Sequence, residues 1–144
     1  MPNRAIQQLI RNQQILTATA SMTVAEAAAA MRSARVGAIM VLKAGHLVGI
    51  FTERDALYRV LAEARDPTKT KIGEVMTADP TTVGPQMPFG HALHLMYERG
   101  FRHVPVVDKG VPVGMVSARD ALGPELDQFE SELKEREHLM EVMG

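Results

Sequence analysis

Residues 16–57 lie on residues 81–122 under one constant offset of 65, without a gap. Thr17 falls on Thr82, Met22 on Met87, Ala27 on Ala92, Met31 on Met96, Val41 on Val106 and Gly45 on Gly110. The match closes with Val48-Gly49 on Val113-Gly114 and Arg54-Asp55-Ala56-Leu57 on Arg119-Asp120-Ala121-Leu122. A chain that states one supersecondary unit twice is expected to pack the copies face to face, as a pseudo-twofold body with equivalent clefts. Function is therefore sought between the copies.

The length reinforces this. The chain has 144 residues, and a unit of about 50 residues alone struggles to bury enough apolar surface to offset its ordering entropy. The repeats are expected to share a core. Sixteen Lys and Arg against seventeen Asp and Glu leave a net charge of −1, so no global field argues for nucleic acid or an anionic membrane. Four Phe and two Tyr do not make a base-stacking platform. The absence of cysteine removes disulfides, thiol nucleophiles and thiolate metal ligands, and is consistent with a reducing compartment. No apolar run approaches the roughly 20 residues of a membrane span, and Met1-Pro2-Asn3-Arg4 lacks the apolar core of a signal peptide, so a cytoplasmic protein is expected. Gly-x-Ser-x-Gly, Gly-x4-Gly-Lys-Ser/Thr and Gly-x-Gly-x-x-Gly are all missing. Catalysis of acyl, phosphoryl or hydride transfer therefore has no visible machinery, and no enzyme is expected.

The changing hydrophobic period gives each copy one order: short strand, helix, two strands, helix. In the first copy Ile15–Thr17 is extended, Thr23–Ser33 is an Ala-rich helix capped by Ser21 or Thr23, and Val36–Leu42 and His46–Phe51 are strands around the turn Lys43-Ala44-Gly45. Thr52–Glu63 is the closing helix, with Leu57, Val60 and Leu61 on its apolar face. The second copy has the helix Phe89–Arg99, strands Arg102–Val107 and Val111–Val116 around Asp108-Lys109-Gly110, and a closing helix from Ser117. The expected division is an N-terminal helix and first repeat over 1–64, a polar linker over 65–71, a second repeat over 72–123, and a C-terminal helix over 124–144. The N-terminal helix, about Arg4–Arg11, is expected on the outside of the body. Gly123-Pro124 separates two helices. In the tail Leu126, Phe129, Leu133, Met140 and Met143 keep heptad spacing interrupted by Arg136, which fits packing on its own domain or against a second subunit.

Thr52-Glu53-Arg54-Asp55 and Ser117-Ala118-Arg119-Asp120 each follow a Val-Gly strand and open a helix. Ser or Thr followed three residues later by an acid is close to a capping box. A carboxylate at a helix start beside a cleft also has two oxygens spaced to meet the cis-diol of a ribose. Both roles fit. His91 and His94 stand three apart on a helix, but no third ligand has convincing spacing, so no metal site is expected. The ten methionines fall at helical core positions such as 31 and 96 and read as adaptable packing. Pro105 lies within a strand where the first copy has Met40, and needs an edge or an unpaired amide there, so its amide position is expected to face the cleft.

The pattern as a whole resembles a tandem pair of CBS domains. It is carried by Thr-Val-x5-Phe at 82–89, by Phe101-Arg102-His103-Val104-Pro105-Val106-Val107-Asp108, and by Val113-Gly114-Met115-Val116-Ser117-x-x-Asp120. Val36-Gly37-Ala38-Ile39-Met40-Val41-Leu42 and Leu47-Val48-Gly49-Ile50-Phe51-Thr52-x-x-Asp55 run parallel in the first copy. The resemblance covers about residues 5–123. It implies an α+β fold of two βαββα units packed through their sheets with pseudo-twofold symmetry, and two clefts in which adenosine-containing ligands often bind. One cleft would use Asp120 and Ser117 with Thr17, Val36 and Gly37. The other would use Asp55 and Thr52 with Thr82, Phe101 and Arg102. Phosphates would point to the centre, toward Arg102 and His103. Because the first copy has Gly37-Ala38 where the second has Arg102-His103, charge-assisted bonds come from one side, and the Asp120 cleft is the expected occupied site.

The resemblance thus implies a regulatory sensor for an AMP-, ADP- or ATP-like nucleotide, with magnesium if the ligand is ATP. It would signal to a separate effector protein by a change of shape or assembly, as a homodimer reinforced by the C-terminal helix. The alternative is a module with empty clefts that dimerises and regulates a partner.

Overall fold

A computed structural model describes residues 4–143, apart from the side chains of Pro124 and Met143. The first half contains β1 (Thr17–Ala18), α2 (Val24–Ala34), β2 (Ala38–Lys43), β3 (His46–Thr52) and α3 (Glu53–Asp55), preceded by α1 (Ile6–Ile10). The second contains α4 (Ile72–Val75), β4 (Thr77–Ala78), α5 (Phe89–Arg99), β5 (His103–Asp108) and β6 (Val111–Ser117), and the chain ends in α6 (Gly123–Met143). The hairpins turn through Ala44-Gly45 and Lys109-Gly110, all four at positive φ, the geometry whose twist matches that of the flanking strands. Thr23 caps α2 in a reciprocal box with Glu26, which settles the choice between Ser21 and Thr23.

The leading segments are exchanged. Ile6 and Ile10 of α1 are buried with Val83, Phe89, Val104 and Val116 in the second half's core. Ile72 and Val75 of α4 are buried with Val24, Ile39 and Phe51 in the first. The expectation that the N-terminal helix lies outside is thus corrected: Ile6 completes a core that the second half cannot close alone. The paired glycines Gly49 and Gly114 record the same crossing. A Cβ on Gly114 would stand 2.6 Å from Ile10 Cγ2, and one on Gly49 would collide with Met76 Sδ. Each exchanged leader thus rests on a strand where only glycine fits.

The sheets are not equal. The first half has four strands in the order β1-β2-β3-β4, with β1 parallel to β2. The second has two, β5 and β6, and only an isolated parallel bridge from Val83 to Val106 where β1 has its counterpart. The cause is Pro105. In the first half Met40 donates its N–H to the Leu16 carbonyl; Pro105, at the matching position, has no N–H to give to Thr81. At the free edge of β6, the Gln13 carboxamide donates to the Met115 carbonyl (2.8 Å) and accepts its N–H (2.7 Å). A side chain there does what β4 does for β3.

The closing helices depart from expectation. Residues 56–61 wind as a π-helix, with Ala62 N–H bonding to Leu57 O and Arg65 N–H to Val60 O. Five-residue bonding destroys the i, i+3, i+4 stripe, so Val60 is buried whereas Leu57 and Leu61 are exposed. In the second half Ser117 caps a single 3₁₀ turn, Ala118–Asp120. Pro124 lacks the N–H that would bond to the Asp120 carbonyl; Arg4 Nη2 donates to that oxygen instead, at 2.9 Å. The helix then restarts as α6, which packs on α5 through Phe129 against His94 and Tyr97 and through the Arg136–Glu98 ion pair. The near part of the tail therefore packs on its own chain, while Leu139, Met140 and Val142 stand exposed. The heptad member Met143 has a side chain outside the described residues. Among the described residues no helix is long and apolar enough to cross a membrane.

Candidate functional site

The halves meet where β3 and β6 end and the helix starts begin. Glu53 N–H donates to the Gly37 carbonyl and, one repeat later, Ala118 N–H donates to that of Arg102. Arg54 Nη1 crosses between halves to the Gly100 carbonyl at 2.7 Å. Two hollows flank this seam.

The larger, about 580 Å³, is lined by Ile50, Tyr58, Pro80 and Phe101, by Thr52 and Asp55, and by Arg54, Arg59, Arg99 and Arg102, of which the first three donate to the Gly100 carbonyl, the Val75 and Met76 carbonyls and Thr81 Oγ1. The smaller, about 300 Å³, is lined by Val36, Gly37, Ser117 and Arg119 among others. Glu53, Arg102 and His103 line both. Glu53 and His103 meet over Gly37, where a Cβ would stand 2.9 Å from Glu53 Oε1 and 3.2 Å from His103 Cε1. Burial holds the His103 imidazole below its ordinary range; Glu53 opposes this, and Arg119 and Arg102 add to it. Burial thus favours the neutral ring, and an anion arriving beside it would favour the charged one.

The larger hollow thus lies on the Asp55 side, opposite to the preference drawn from sequence. Thr52, Asp55, Phe101, Arg102 and His103 gather around it, and Val36, Gly37 and Ser117 around the smaller one. Thr17, Thr82 and Asp120 line neither: Thr17 and Thr82 are exposed, and Thr81 takes the place expected of Thr82. Because Pro105 gives it no amide, the Thr81 carbonyl is left as an acceptor for a ligand N–H beside the hollow.

Both aspartates are capping residues. Asp55 Oδ2 accepts the Thr52 N–H at 3.0 Å, and Asp120 Oδ2 accepts the Ser117 N–H at 2.7 Å. Asp55 is only 6% exposed. Its other oxygen has two long contacts, 3.3 Å from Thr77 Oγ1 and 3.7 Å from Arg59 Nε. A hydroxyl-to-carboxylate bond is ordinarily 2.5–3.0 Å (about 2.7 Å), so this oxygen is weakly held and could exchange these partners for a ribose hydroxyl. Asp120 is exposed, and no hydrogen bond to its Oδ1 occurs among the described residues. The sequence reading missed Glu53, Arg35, Arg99 and Arg119 as wall residues. Arg119 carried a signal as the repeat partner of Arg54, and Arg35 as the residue that the offset sets on Gly100. His94 pairs with Glu132 of α6, and among the described residues no group of three His, Asp or Glu stands ready to hold a metal.

The model of the CBS domain matches the chain twice, over residues 6–62 and 72–123. The chain is 37% identical over 125 residues to the mitochondrial CBS domain-containing protein CBSX3 of Arabidopsis thaliana, covering 83% of this chain and 60% of that one. It is 36% identical over 107 residues to the CBS domain-containing protein YhcV of Bacillus subtilis, covering 74% and 76%. The chain thus spans little more than half the length of the Arabidopsis relative. A CBS domain protein of Pyrobaculum aerophilum, solved as a complex with AMP, superposes with a TM-score of 0.79 at 25% identity, covering 89% of this chain and 99% of that one. Twofold repetition, exchanged leaders and clefts at the seam therefore have one explanation: this chain belongs to the CBS domain family, as a tandem pair.

Proposed function

We propose that the chain is a regulatory module that binds an adenosine-containing nucleotide, AMP-, ADP- or ATP-like, between its two repeats. The observation that carries this is the larger hollow. It combines apolar walls for a base, a carboxylate with one weakly held oxygen for a ribose, and an arginine-rich lining for phosphate, in which Arg102 makes no side-chain hydrogen bond among the described residues. The AMP complex of the Pyrobaculum protein supports the ligand class. Asp55 is assigned to the ribose, Phe101 and the Thr81 carbonyl to the base, and Arg102 and His103 to the phosphate. Ser117, Val36 and Gly37 belong to the secondary cleft, where Asp120 caps the turn that presents Ser117. This reverses the order read from sequence, because volume and arginine content are greatest beside Asp55.

Binding shifts a conformational population only by the ligand's differential affinity for two arrangements. Arg54, which ties one half to the Gly100 carbonyl of the other, is placed to transmit that difference. The chain acts without catalysis, as a cytoplasmic homodimer that answers to an effector protein. A ligand that binds only the native state must raise its stability. A thermal-shift panel of AMP, ADP, ATP and S-adenosylmethionine should therefore give a concentration-dependent rise for at least one compound, reduced by Asp55→Ala. The commitment of both aspartates to helix caps favours the second reading, a module with empty clefts, and no rise with any of the four would establish it over the first.

A further inference from the structure

The smaller hollow carries more positive charge than the protein itself neutralises. Arg35, Arg102 and Arg119 line it with His103, against the lining carboxylate of Glu53 and that of Asp120, which bonds to Ser117 at its edge. Among the described residues none of the three arginines forms an ion pair or a side-chain hydrogen bond. The contrast with the repeat counterpart is informative. Arg54 donates to the carbonyl of Gly100, which closes α5. Arg119, its twin, makes no corresponding bond to Arg35, which closes α2.

Arg35 itself is anomalous. It ends α2 in the left-handed region, at φ 56 and ψ 43, where the matching residue of the other repeat is Gly100 at φ 76. Glycine occupies that region freely, whereas any side chain pays in backbone strain. Ala44, Ala64, Asp79 and Lys109 also have positive φ, but of these five residues Arg35 alone lines the smaller hollow, where its side chain gives the strain a use.

We propose that this hollow holds the outer phosphates of a nucleoside di- or triphosphate whose adenosine occupies the Asp55 cleft. The inference rests on the nucleotide reading above and sharpens it: the chain selects polyphosphates over monophosphates. A first phosphate reaches the shared wall at Arg102 and His103. Further phosphates pass that wall and meet Arg35, Arg119 and the Ser117 hydroxyl. Guanidinium forks bind phosphate oxygens in pairs, and an anion among three unpaired guanidiniums relieves their mutual repulsion. A monophosphate stops at the wall and gains none of this.

The test is isothermal titration of AMP, ADP, ATP and inorganic tripolyphosphate in metal-free buffer of low ionic strength, with the full chain and its Arg35→Gly and Arg119→Gln variants. ATP should bind about tenfold or more tighter than AMP. Either substitution should reduce that preference to roughly threefold or less while leaving AMP affinity within about twofold. Arg35→Gly should keep or raise the melting temperature, because glycine relieves the left-handed φ, so weakened ATP binding in that variant does not report misfolding. AMP binding as tightly as ATP overturns the inference and leaves the adenosine reading standing, as does an ATP preference that survives both substitutions. Tripolyphosphate binding that is lost in both variants, with no nucleotide bound, keeps the anion pocket and overturns the adenosine reading. Silence from all four ligands overturns both.

Discussion

Replacing Ile6 with alanine should damage the half of the molecule to which Ile6 does not belong in sequence. Its side chain is fully buried among Val83, Phe89, Val104 and Val116. Truncation there loses the transfer energy of three carbons and leaves a cavity, which together cost about 2–5 kcal/mol. A chain of this size loses roughly 2–4 °C per kcal/mol, so Ile6→Ala should lower the melting temperature by roughly 5–15 °C. Hydrogen exchange read by mass spectrometry locates the loss. Faster exchange is expected in Phe89–Arg99 and His103–Asp108, with Val24–Ala34 affected less. Ile72, equally buried in the first core, provides the mirror experiment: Ile72→Ala should spare α5 and loosen α2. Acceleration confined to the first half in Ile6→Ala, or a melting shift under about 1 °C, would refute the exchange of leaders.

Asp55→Ala should weaken nucleotide binding more than Asp120→Ala, and should cost about 1–2 kcal/mol of stability through the lost cap; calorimetry with equal or reversed losses would restore the Asp120 cleft as the main site. A bound phosphate favours charged His103, whose free pKa is held low by burial, so affinity should rise as pH falls from about 8 to 6. A flat profile, or the same slope in His103→Gln, contradicts this. Arg4 holds Glu125, which is buried, through two bonds of 2.9 and 2.7 Å, and keeps its carboxyl below the usual range. That depressed value gives stability present above the ordinary glutamate pKa and lost as pH falls through the folded value. Arg4→Gln should therefore cost about 1–3 kcal/mol at pH 7 and flatten the acid limb of the stability profile; denaturant titrations at pH 7 and pH 4 measure both. Removing residues 138–144 takes away the exposed Leu139, Met140 and Val142 but not the α5–α6 contact, so the proposed self-association, followed by ultracentrifugation, should weaken while the melting temperature moves by less than about 2 °C; an unchanged mass across a dilution series would exclude these residues as a self-association surface.

The repeat offset made most of the fold legible. It located Phe89–Arg99 at its observed ends and both hairpin turns, because the positive φ of Gly45 and Gly110 and the strand alternation are local requirements. The exchange of leaders was invisible, since burial of Ile6 depends on where the chain sends α1 after its apolar face is specified. The π-helix was likewise hidden: Leu57, Val60 and Leu61 carry an α spacing that tertiary packing overrides. In the candidate site, the resemblance set Asp55 and Thr52 with Thr82, Phe101 and Arg102 and put His103 at the centre, and the larger hollow is lined by all of these but Thr82. The clefts were ranked by charge alone, and volume depends on the path of Thr77–Pro80, which the offset does not describe. Arg35 had a signal that went unused: the offset sets it on Gly100, and an arginine in place of a helix-ending glycine is an exception that asks for a reason.

The central claim, that a nucleotide sits between the repeats beside Asp55, is tested most directly by amide chemical-shift mapping of the full chain during an ATP titration. Saturable shifts are predicted along Thr52–Arg59, Thr77–Thr81 and Phe101–His103, coming from both halves at once. Shifts confined to one repeat, or to the Asp120 side with Asp55 and Thr81 unmoved, would contradict it.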